Sequence, residues 1–377
     1  MEATLAQKRE QLRKFYLGGI KPADDRRPIP EELAQGMVKD LVESGVSKDA
    51  KIGVFDTFLT LSLTLQEYGF TNLTLIEKKH IRLTSLQEKY YTNIKGICEK
   101  IQVKYYFPPI NNLDNCNMKF DVIIGNPPYQ SGTKSSGNTI WDKIVARSLE
   151  LLNDGGYLSF INPPRWRQPE DALSYIYKDY QLVSLKINNA KVGNKVFKAS
   201  TPFDVYTIQK VAPYKNTYIE FSDGVKGEYD VTKLPFIPNS MIDYWTNAFD
   251  NQGEKLDVHH SYSHEDRLKH ISKVKTDTHV YPIVQKVTDD GLIYLYSSKP
   301  HLHQDVQKVV FRDQGKSFAQ LSSGGCGKHT YYVLNTSDKV VNFLNSEEFE
   351  TIKKSVLFSQ RQVFPNSLSY IPIDSIS

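Results

Sequence analysis

The sequence contains little cysteine. Its three residues of this type, Cys98, Cys116 and Cys326, lie far apart in a chain of 377 residues. None of the spacings is the short paired one of a zinc site or a disulfide framework, so free thiols in a reducing cytoplasm are the simplest interpretation. All of the histidines except His80 lie beyond residue 250, without a fixed metal spacing. The sequence therefore predicts no metal centre.

Long hydrophobic runs are also missing. The first residues, "MEATLAQKREQLRKFY", do not resemble a signal peptide, and no segment reaches the length needed to cross a membrane. There is no low-complexity tract and no internal repeat. The formal net charge of +4 is small for this length. It permits a polyanionic partner through local basic patches but does not require one.

Strands and helices alternate along the first half of the chain. Segments such as "KIGVFD", "NLTLIEK", "FDVIIG" and "YLSFINPP" are typical of buried strands, and amphipathic helical segments separate them. This alternation predicts an α/β fold with a mostly parallel sheet covered on both faces. "LVSLKIN" and "FDVYTIQKV" are predicted to close the sheet as edge strands, one of them antiparallel. The helix before "YLSFINPP" is predicted to stop at Gly155 and Gly156.

The regular alternation ends near Pro213. Short aromatic-rich strands, polar turns and a hairpin signal at Asp290-Gly291 then predict a separate α+β or mostly β unit. We therefore expect an N-terminal helical segment at residues 1–48 that packs on a domain at 49–212, followed by a second domain at 213–377.

The segment "FDVIIGNPPYQ" carries the clearest chemical signal. Asn126 follows a buried strand directly, at the sheet edge where open α/β sheets bind ligands. Pro127 and Pro128 hold the backbone extended and keep the Pro127 carbonyl out of a helical turn. The Asn126 side-chain oxygen and that carbonyl are expected to converge as two acceptors, and Tyr129 adds an aromatic face. Such a corner suits an exocyclic amine on a ring that stacks on tyrosine.

This tetrapeptide resembles the catalytic motif of S-adenosylmethionine-dependent amino-methyltransferases, especially the DNA adenine-N6 enzymes of restriction-modification systems. The resemblance implies a Rossmann-like methyltransferase fold with Asn126, Pro127, Pro128 and Tyr129 as catalytic residues. It also implies that the second domain recognises the DNA target. A plain turn after a strand is the alternative interpretation of the same residues.

The resemblance also implies a cofactor site for S-adenosyl-L-methionine. Ile29 and Pro30 stand where the family has a Thr-Pro pair. Asp56 and Thr57 open the first loop, and Glu77 stands where an acid holds the ribose hydroxyls. Asn126 completes this set.

The first loop departs from the family pattern. The family has Asp-Pro-x-x-Gly-x-Gly, whereas this chain has "DTFLTLS", with Thr60 and Ser62 at the glycine positions. A β-branched residue resists positive φ, and its Cβ takes up space. The loop either binds the cofactor in a modified conformation, binds it weakly until DNA is present, or has lost it.

Six further residues are candidates for the base pocket or for DNA. Phe203 lies in a segment that resembles a late family motif whose aromatic residue lines the pocket, although a core position is the more frequent explanation for a phenylalanine. Arg165, Trp166 and Arg167 form a basic-aromatic cluster suited to phosphate contact, or else a buried tryptophan between two solvated arginines. Lys328 lies in a glycine-rich stretch that either binds phosphate or forms a bent hairpin.

Lys134 lies in "SGTKSSGNT", which is either a connector or a lid over the flipped base. The second Asn-Pro-Pro, at residues 162–164, is assigned no chemistry.

The leading functional hypothesis is methyl transfer to adenine N6 in a specific sequence of double-stranded DNA. The base must leave the duplex to expose its amine. Such an enzyme is expected in the cytoplasm of a bacterial or phage-infected cell, with a cognate restriction nuclease or a partner subunit and no membrane partner. The N-terminal segment is expected to be too short for a nuclease. The alternatives are a methyltransferase-like DNA-binding protein or inactive partner subunit, and an RNA or protein-glutamine methyltransferase.

Overall fold

We analysed a computed structural model of the chain, which describes Gln7 and residues 28–56, 58–76, 85–106, 117–129, 139–260, 270–359 and 363–376. The chain divides into two compact units. Unit 1 comprises Met1–Trp166 and Ala172–Lys233, and unit 2 comprises Arg167–Asp171 and Leu234–Ser377.

Unit 1 is built on one large sheet with helices beside it. In the described residues its strands are β1 (Ile52–Phe55), β2 (Leu73–Ile76), β3 (Lys104–Tyr106), β4 (Phe120–Gly125), β5 (Leu152–Asn162), β6 (Gln181–Asn188), β7 (Phe203–Gln209), β8 (Thr217–Glu220) and β9 (Lys226–Tyr229). The helices are α1 (Glu31–Glu43), α2 (Thr60–Glu67), α3 (Ser85–Lys100), α4 (Trp141–Leu151), α5 (Tyr175–Lys178) and α6 (Ala190–Phe197). Short 3₁₀ turns occupy Pro164–Arg167 and Val231–Lys233.

The strand order is β3-β2-β1-β4-β5-β7-β6-β8-β9. The first five strands in this order pair in parallel, and β7 is antiparallel to both of its neighbours, β5 and β6. The predicted α/β class with a mostly parallel sheet is confirmed.

The central strands are buried because their sequences are almost continuously apolar, as parallel sheets covered by helices require. One face of the sheet contributes Val54, Val122, Ile124 and Ile161 to a core that it shares with α1 and α2. The polar ends of the strands are consequently held in place by a rigid sheet.

The expected end of the helix before β5 needs correction. Helix α4 ends at Leu151 and β5 begins at Leu152, so Gly155 and Gly156 lie inside the strand rather than after the helix. A Cβ on Gly156 would lie 2.8 Å from the Asp121 carbonyl oxygen, so this glycine serves the close approach of β4 and β5. The register shift between β4 and β5 lies at the same place.

The boundary between the units also differs from the expected one. β6 and β7 are not edge strands, because β8 pairs in parallel with β6 and β9 pairs with β8. Unit 1 therefore continues to Lys233 instead of ending at residue 212. The sequence pattern misses these two strands because they are short and polar.

Unit 2 contains two small sheets and several helices. Its described strands are β10 (Val258–His259), β11 (Ile271–Ser272), β12 (Tyr281–Thr288), β13 (Gly291–Ser297), β14 (Lys308–Arg312), β15 (Ala319–Ser322), β16 (Gly325–Cys326) and β17 (Thr330–Val333). Its helices are α7 (Ile242–Asp250), α8 (Asp338–Leu344), α9 (Glu347–Ser355) and α10 (Pro365–Leu368). The strand orders are β10-β17-β14-β15 and β11-β13-β12-β16.

The mixed helix and strand content of unit 2 agrees with the α+β class expected for the second domain. The predicted hairpin is present, since β12 and β13 are antiparallel and meet at Gly291, whose φ is +134°. The core of unit 2 is rich in aromatic rings packed edge to face around Phe236. Across the described part of the chain, no helix has both the length and the apolar character to span a membrane.

Candidate active site

The carboxyl ends of β1, β4 and β5 lie side by side at one edge of the unit 1 sheet. Asp56 directly follows β1, Asn126 directly follows β4, and Asn162 is the last residue of β5. Parallel pairing sets Phe55 opposite Gly125 and Gly125 opposite Phe160. The edge therefore collects three polar side chains where open α/β sheets bind ligands.

Gly125 fixes the geometry just before Asn126. Its φ is +147°, and a Cβ at this position would lie 2.1 Å from the Phe55 carbonyl oxygen. Only glycine fits such a conformation and such a close approach. The Asn126 backbone N–H then donates to the same Phe55 oxygen at 3.0 Å, so Asn126 is anchored to β1.

The side-chain oxygen of Asn126 is an unsatisfied acceptor. Oδ1 is buried and has no hydrogen-bond partner among the residues that the structure describes. Pro127 and Pro128 are both buried beside it. Buried polar atoms are nearly always paired, so this acceptor indicates the place of a ligand donor.

Tyr129 is held by one hydrogen bond from its side chain and one to its backbone. Its hydroxyl donates to the Ile161 carbonyl oxygen of β5 at 3.1 Å, and its own carbonyl accepts from the Ile140 N–H at 3.1 Å. Burial, together with the nearby Asp204 carboxylate, raises the pKa of the Tyr129 phenol above its usual range. The ring is therefore neutral at physiological pH and fixed in position, as a stacking surface requires.

The first loop closes without glycine. The positive φ that the turn requires falls on Leu59, at +57°, rather than on Thr60 or Ser62, which lie within α2. The Ser62 backbone N–H and hydroxyl both donate to Asp56 Oδ2, at 2.8 and 3.2 Å. The residue expected to obstruct the loop instead stabilises its carboxylate.

Asp56 is 3% exposed, and its burial raises the pKa of its carboxyl group to about 6. The hydrogen bonds from Ser62, and those from the Leu61 and Phe58 backbone, act in the opposite direction. Desolvation exceeds them because a buried carboxylate loses its water on all sides. Asp56 is therefore a group that titrates near neutral pH at the sheet edge.

The described residues fit S-adenosylmethionine in one respect, because the unpaired Asn126 oxygen can accept from an amine. Ile29 lies in the core of unit 1, and Pro30 begins α1, where its carbonyl accepts from the Ala34 N–H. Thr57 and Glu77 lie outside the described residues, so their predicted roles stay predictions.

Arg167 does not fit the expected contact with phosphate. Its guanidinium is buried in unit 2, where it donates to the carbonyl oxygens of Ile237 and Pro238 and to Asn239 Oδ1. The Arg167 Cζ atom also lies over the Phe358 ring, 5.3 Å from the ring centroid. The prediction is corrected because these contacts already satisfy the cation inside the fold.

Trp166 is likewise buried rather than exposed to DNA. It is 0% exposed, and its ring lies against Tyr177 and Tyr206 in unit 1. Arg165, between the two strand-end prolines and Trp166, is exposed. Of the basic-aromatic cluster, the described structure thus leaves Arg165 on the surface.

Phe203 and Lys328 have contrasting positions. Phe203 is buried in the core of unit 1, with its ring 5.0 Å from that of Phe197, so its packing is that of a core residue. Lys328 is exposed in unit 2, where its carbonyl oxygen lies 3.2 Å from His260 Nε2. Lys134 lies outside the described residues. A role for these three residues at a base or at DNA stays a prediction.

Two features of the edge are not evident from sequence reasoning. One is Ser62 as the partner of Asp56, which the family pattern presents only as a lost glycine. The other is Asn162, whose Oδ1 accepts from the Tyr206 hydroxyl at 2.8 Å in a fully buried position. The repeated Asn-Pro-Pro is the signal that could have indicated Asn162. Among the described side chains, no group of three or more His, Cys, Asp or Glu residues could hold a metal ion.

The part of the chain that forms this edge is similar to known proteins. Residues 54–197 match the family of the Eco57I restriction-modification methylase. An uncharacterized adenine-specific methylase from Mycoplasma pneumoniae is 46% identical over 54 residues, a stretch that spans 13% of this chain and 12% of that protein. Residues 54–197 are therefore similar to a methylase of the restriction-modification type. The resemblance to adenine methyltransferases that "NPPY" predicts is confirmed.

Solved structures show a distant likeness. The type IIG restriction endonuclease BpuSI is 11% identical, with a TM-score of 0.46, over 91% of this chain and 58% of that one. The type I restriction enzyme EcoKI M protein is 11% identical, with a TM-score of 0.39, over 52% of this chain and 48% of that one. Both likenesses are too weak to bear on function.

Proposed function

We propose that this protein transfers a methyl group from S-adenosylmethionine to the N6 amine of an adenine flipped out of double-stranded DNA. The observation that carries the proposal is the buried, unpaired Asn126 oxygen at the end of β4. The family match at residues 54–197 supports a methyltransferase of this kind. The substrate class, the cofactor and the partners are parts of the proposal.

Asn126 and Pro127 act on the attacking nitrogen. An aryl amine is a weak nucleophile because its lone pair is delocalised into the ring. Acceptance of its two N–H bonds by Asn126 Oδ1 and the Pro127 carbonyl favours a pyramidal nitrogen and stabilises the positive charge that develops on it. With the cofactor bound, this nitrogen would take up the methyl group as the carbon–sulfur bond breaks, its electron pair would stay on the sulfur, and the amine would then lose one proton to solvent.

Tyr129 and Asp56 prepare the same edge. The Tyr129 ring, tied to Ile161 and neutral, offers a face on which the extruded base stacks. S-adenosylmethionine, when bound, supplies a methyl group on a positively charged sulfur. Asp56 beside Asn126 belongs to the residues proposed to hold it, with Ile29, Pro30, Thr57 and Glu77 as the others.

Unit 2 is proposed to recognise the DNA target. Lys328 in unit 2 and Arg165 in unit 1 are the described candidates for phosphate contact. A cognate nuclease or a partner subunit is the proposed assembly partner, since the matching family is one of restriction-modification systems. The proposed location is the cytoplasm of a bacterial or phage-infected cell.

The proposal is tested by labelled methyl transfer to unmodified double-stranded DNA, RNA and protein. We expect transfer to DNA and none to the other two. Asn126→Ala is expected to lower the rate by about 100-fold or more, as loss of one transition-state contact does, while DNA affinity stays nearly unchanged. Asn153→Ala is the matched control, because Asn153 lies at the start of β5, where its amide donates to Asp121 Oδ1.

Calorimetric titration separates the enzyme from a binding protein. We expect heat of binding with S-adenosylmethionine, larger when DNA is present if the first loop orders on DNA. Binding of DNA with no heat from S-adenosylmethionine in either case would instead identify a methyltransferase-like DNA-binding protein. Equal losses of transfer and DNA affinity in Asn126→Ala would give Asn126 a structural role only.

A further inference from the structure

Asn162 lies next to the proposed catalytic corner and repeats its sequence, Asn-Pro-Pro. It is the last residue of β5, which is paired in parallel with β4. Because Gly125 is opposite Phe160, Pro127 and Asn162 each follow a paired position by two residues. Adjacent strands are about 4.8 Å apart, so both Asn-Pro-Pro segments leave the sheet side by side.

The amide of Asn162 is only half satisfied. Its Oδ1 accepts from the Tyr206 hydroxyl at 2.8 Å, which fixes the orientation of the side chain. Its Nδ2 is buried and has no partner among the described residues. An unmade hydrogen bond at a buried N–H carries a free-energy penalty, so such a donor is retained where a ligand completes it.

A second donor beside it is in the same state. Trp166 Nε1 is buried and unpartnered in the described structure, and the Trp166 ring lies 4.7 Å from that of Tyr206. Among the described residues, the edge therefore has an unpaired acceptor at Asn126, an unpaired donor on Asn162 at the end of the next strand, and a second one on Trp166 in the 3₁₀ turn that follows that strand. Tyr129 connects the two strands through its bond to the Ile161 carbonyl, one residue before Asn162.

Acceptor and donor side by side match one pattern on a nucleobase. In adenine the exocyclic amine is flanked by N1 and N7, which only accept hydrogen bonds. Guanine and thymine have a carbonyl in place of the amine, with a ring N–H next to it. An amide N–H beside Asn126 is therefore complementary to adenine, and equally to cytosine, whose amine adjoins the acceptor N3, and it is opposed to the two keto bases.

We infer that Asn162 is a specificity-determining residue, whose Nδ2 donates to the ring nitrogen next to the adenine amine. This role rests on the proposed methyl transfer to adenine. Tyr206 is then a positioning residue, because its hydroxyl holds the other end of the Asn162 amide.

The test replaces the ring nitrogen in the substrate and the donor in the protein. Once the recognised sequence has been read from methylated DNA, duplexes are made with adenine, 1-deazaadenine or 7-deazaadenine at the target position. The wild-type protein is expected to methylate one of the two analogues about tenfold more slowly than adenine. Asn162→Ala is expected to be slower on adenine and to lose this discrimination.

Tyr206→Phe is the matched control. It removes the same internal hydrogen bond but keeps Nδ2, so it is expected to lower the discrimination only in part, whereas Asn162→Ala removes it. The intrinsic reactivity of each analogue is the same for the wild type and for the variants. The ratio of the rates on adenine and on the analogue, compared between proteins, therefore reports the contact between Asn162 and the ring nitrogen. Asn162→Thr, whose hydroxyl can still accept from Tyr206, serves as the second variant if Asn162→Ala does not fold.

The inference is overturned if the wild type methylates both analogues as fast as adenine. It is also overturned if the Asn162 variants slow all three substrates by one common factor, since a structural role predicts that result. Absence of transfer to any DNA is a different outcome, because it removes the proposed function and this inference together.

Discussion

Gly125→Ala tests the geometry on which the candidate site depends. The substituted Cβ would lie 2.1 Å from the Phe55 oxygen and 2.7 Å from the Phe55 carbonyl carbon, both backbone atoms that cannot rotate away. The φ of +147° is in addition strained for any residue with a side chain. Backbone strain of this kind costs about 1–3 kcal/mol and overpacking about 1–3 kcal/mol. We therefore expect the free energy of unfolding of unit 1 to fall by roughly 2–6 kcal/mol.

Gly36→Ala is the matched control for this substitution. Gly36 lies on the exposed side of α1, and a Cβ there would meet nothing within 4 Å. Replacement of a helical glycine by alanine raises stability by about 0.5–1 kcal/mol. The two variants make the same chemical change and are expected to move stability in opposite directions.

Urea unfolding measures both changes, and hydrogen exchange locates them. In Gly125→Ala the peptides that contain β1 and β4 are expected to lose protection from exchange first. The added Cβ would collide with the Phe55 carbonyl, which accepts from the Asn126 N–H at the end of the ladder between these two strands. Equal stability of Gly125→Ala and Gly36→Ala would refute the close approach of β1 and β4. The placement of Asn126 would then lose its basis.

Two further predictions concern buried charged groups. Asp56→Asn is expected to stabilise unit 1 by up to about 3 kcal/mol above pH 7 and by almost nothing below pH 4. The reason is that the folded pKa of the Asp56 carboxyl is raised to about 6, so the folded state of the wild type loses stability as pH rises through that value. Urea unfolding across this pH range measures the difference between the two proteins, and a difference that does not depend on pH would contradict the prediction. Arg167→Met is expected to lower the stability of unit 2 by roughly 2–5 kcal/mol, since it leaves the buried carbonyls of Ile237 and Pro238 without their hydrogen-bond donor. The control Arg165→Met, at an exposed residue, is expected to change the free energy of unfolding of the protein by less than about 0.5 kcal/mol. A loss of DNA affinity in Arg167→Met at unchanged stability would restore the phosphate role.

The central sheet was predictable because the sequences of its strands are almost uninterrupted apolar segments that end in polar residues. "FDVIIGNPPY" alone fixes the end of β4 and the place of Asn126, since a glycine, an amide and two prolines allow few conformations. β8 and β9 were not predictable in this way, because polar residues at a sheet margin resemble the start of the next domain.

Burial of polar side chains was the least predictable property. Arg165, Trp166 and Arg167 are neighbours in sequence, yet Arg165 is exposed while the other two are buried in different units. No local pattern distinguishes them, because the carbonyl oxygens that Arg167 binds come from residues about seventy positions later. Long-range partners of this kind decide whether an arginine contacts solvent or satisfies the fold.

The first loop shows how a glycine-dependent turn survives without glycine. The αL conformation of Leu59 costs about 1–2 kcal/mol. Its side chain is 0% exposed in the core of unit 1, and full burial of a leucine contributes about 1.5–3 kcal/mol. The turn is therefore stable, and the hydroxyl that replaces the second glycine is used on Asp56. What the loop lacks is the open space above a glycine, so the loss of glycine is expected to alter the affinity for a cofactor more than the fold that would hold it.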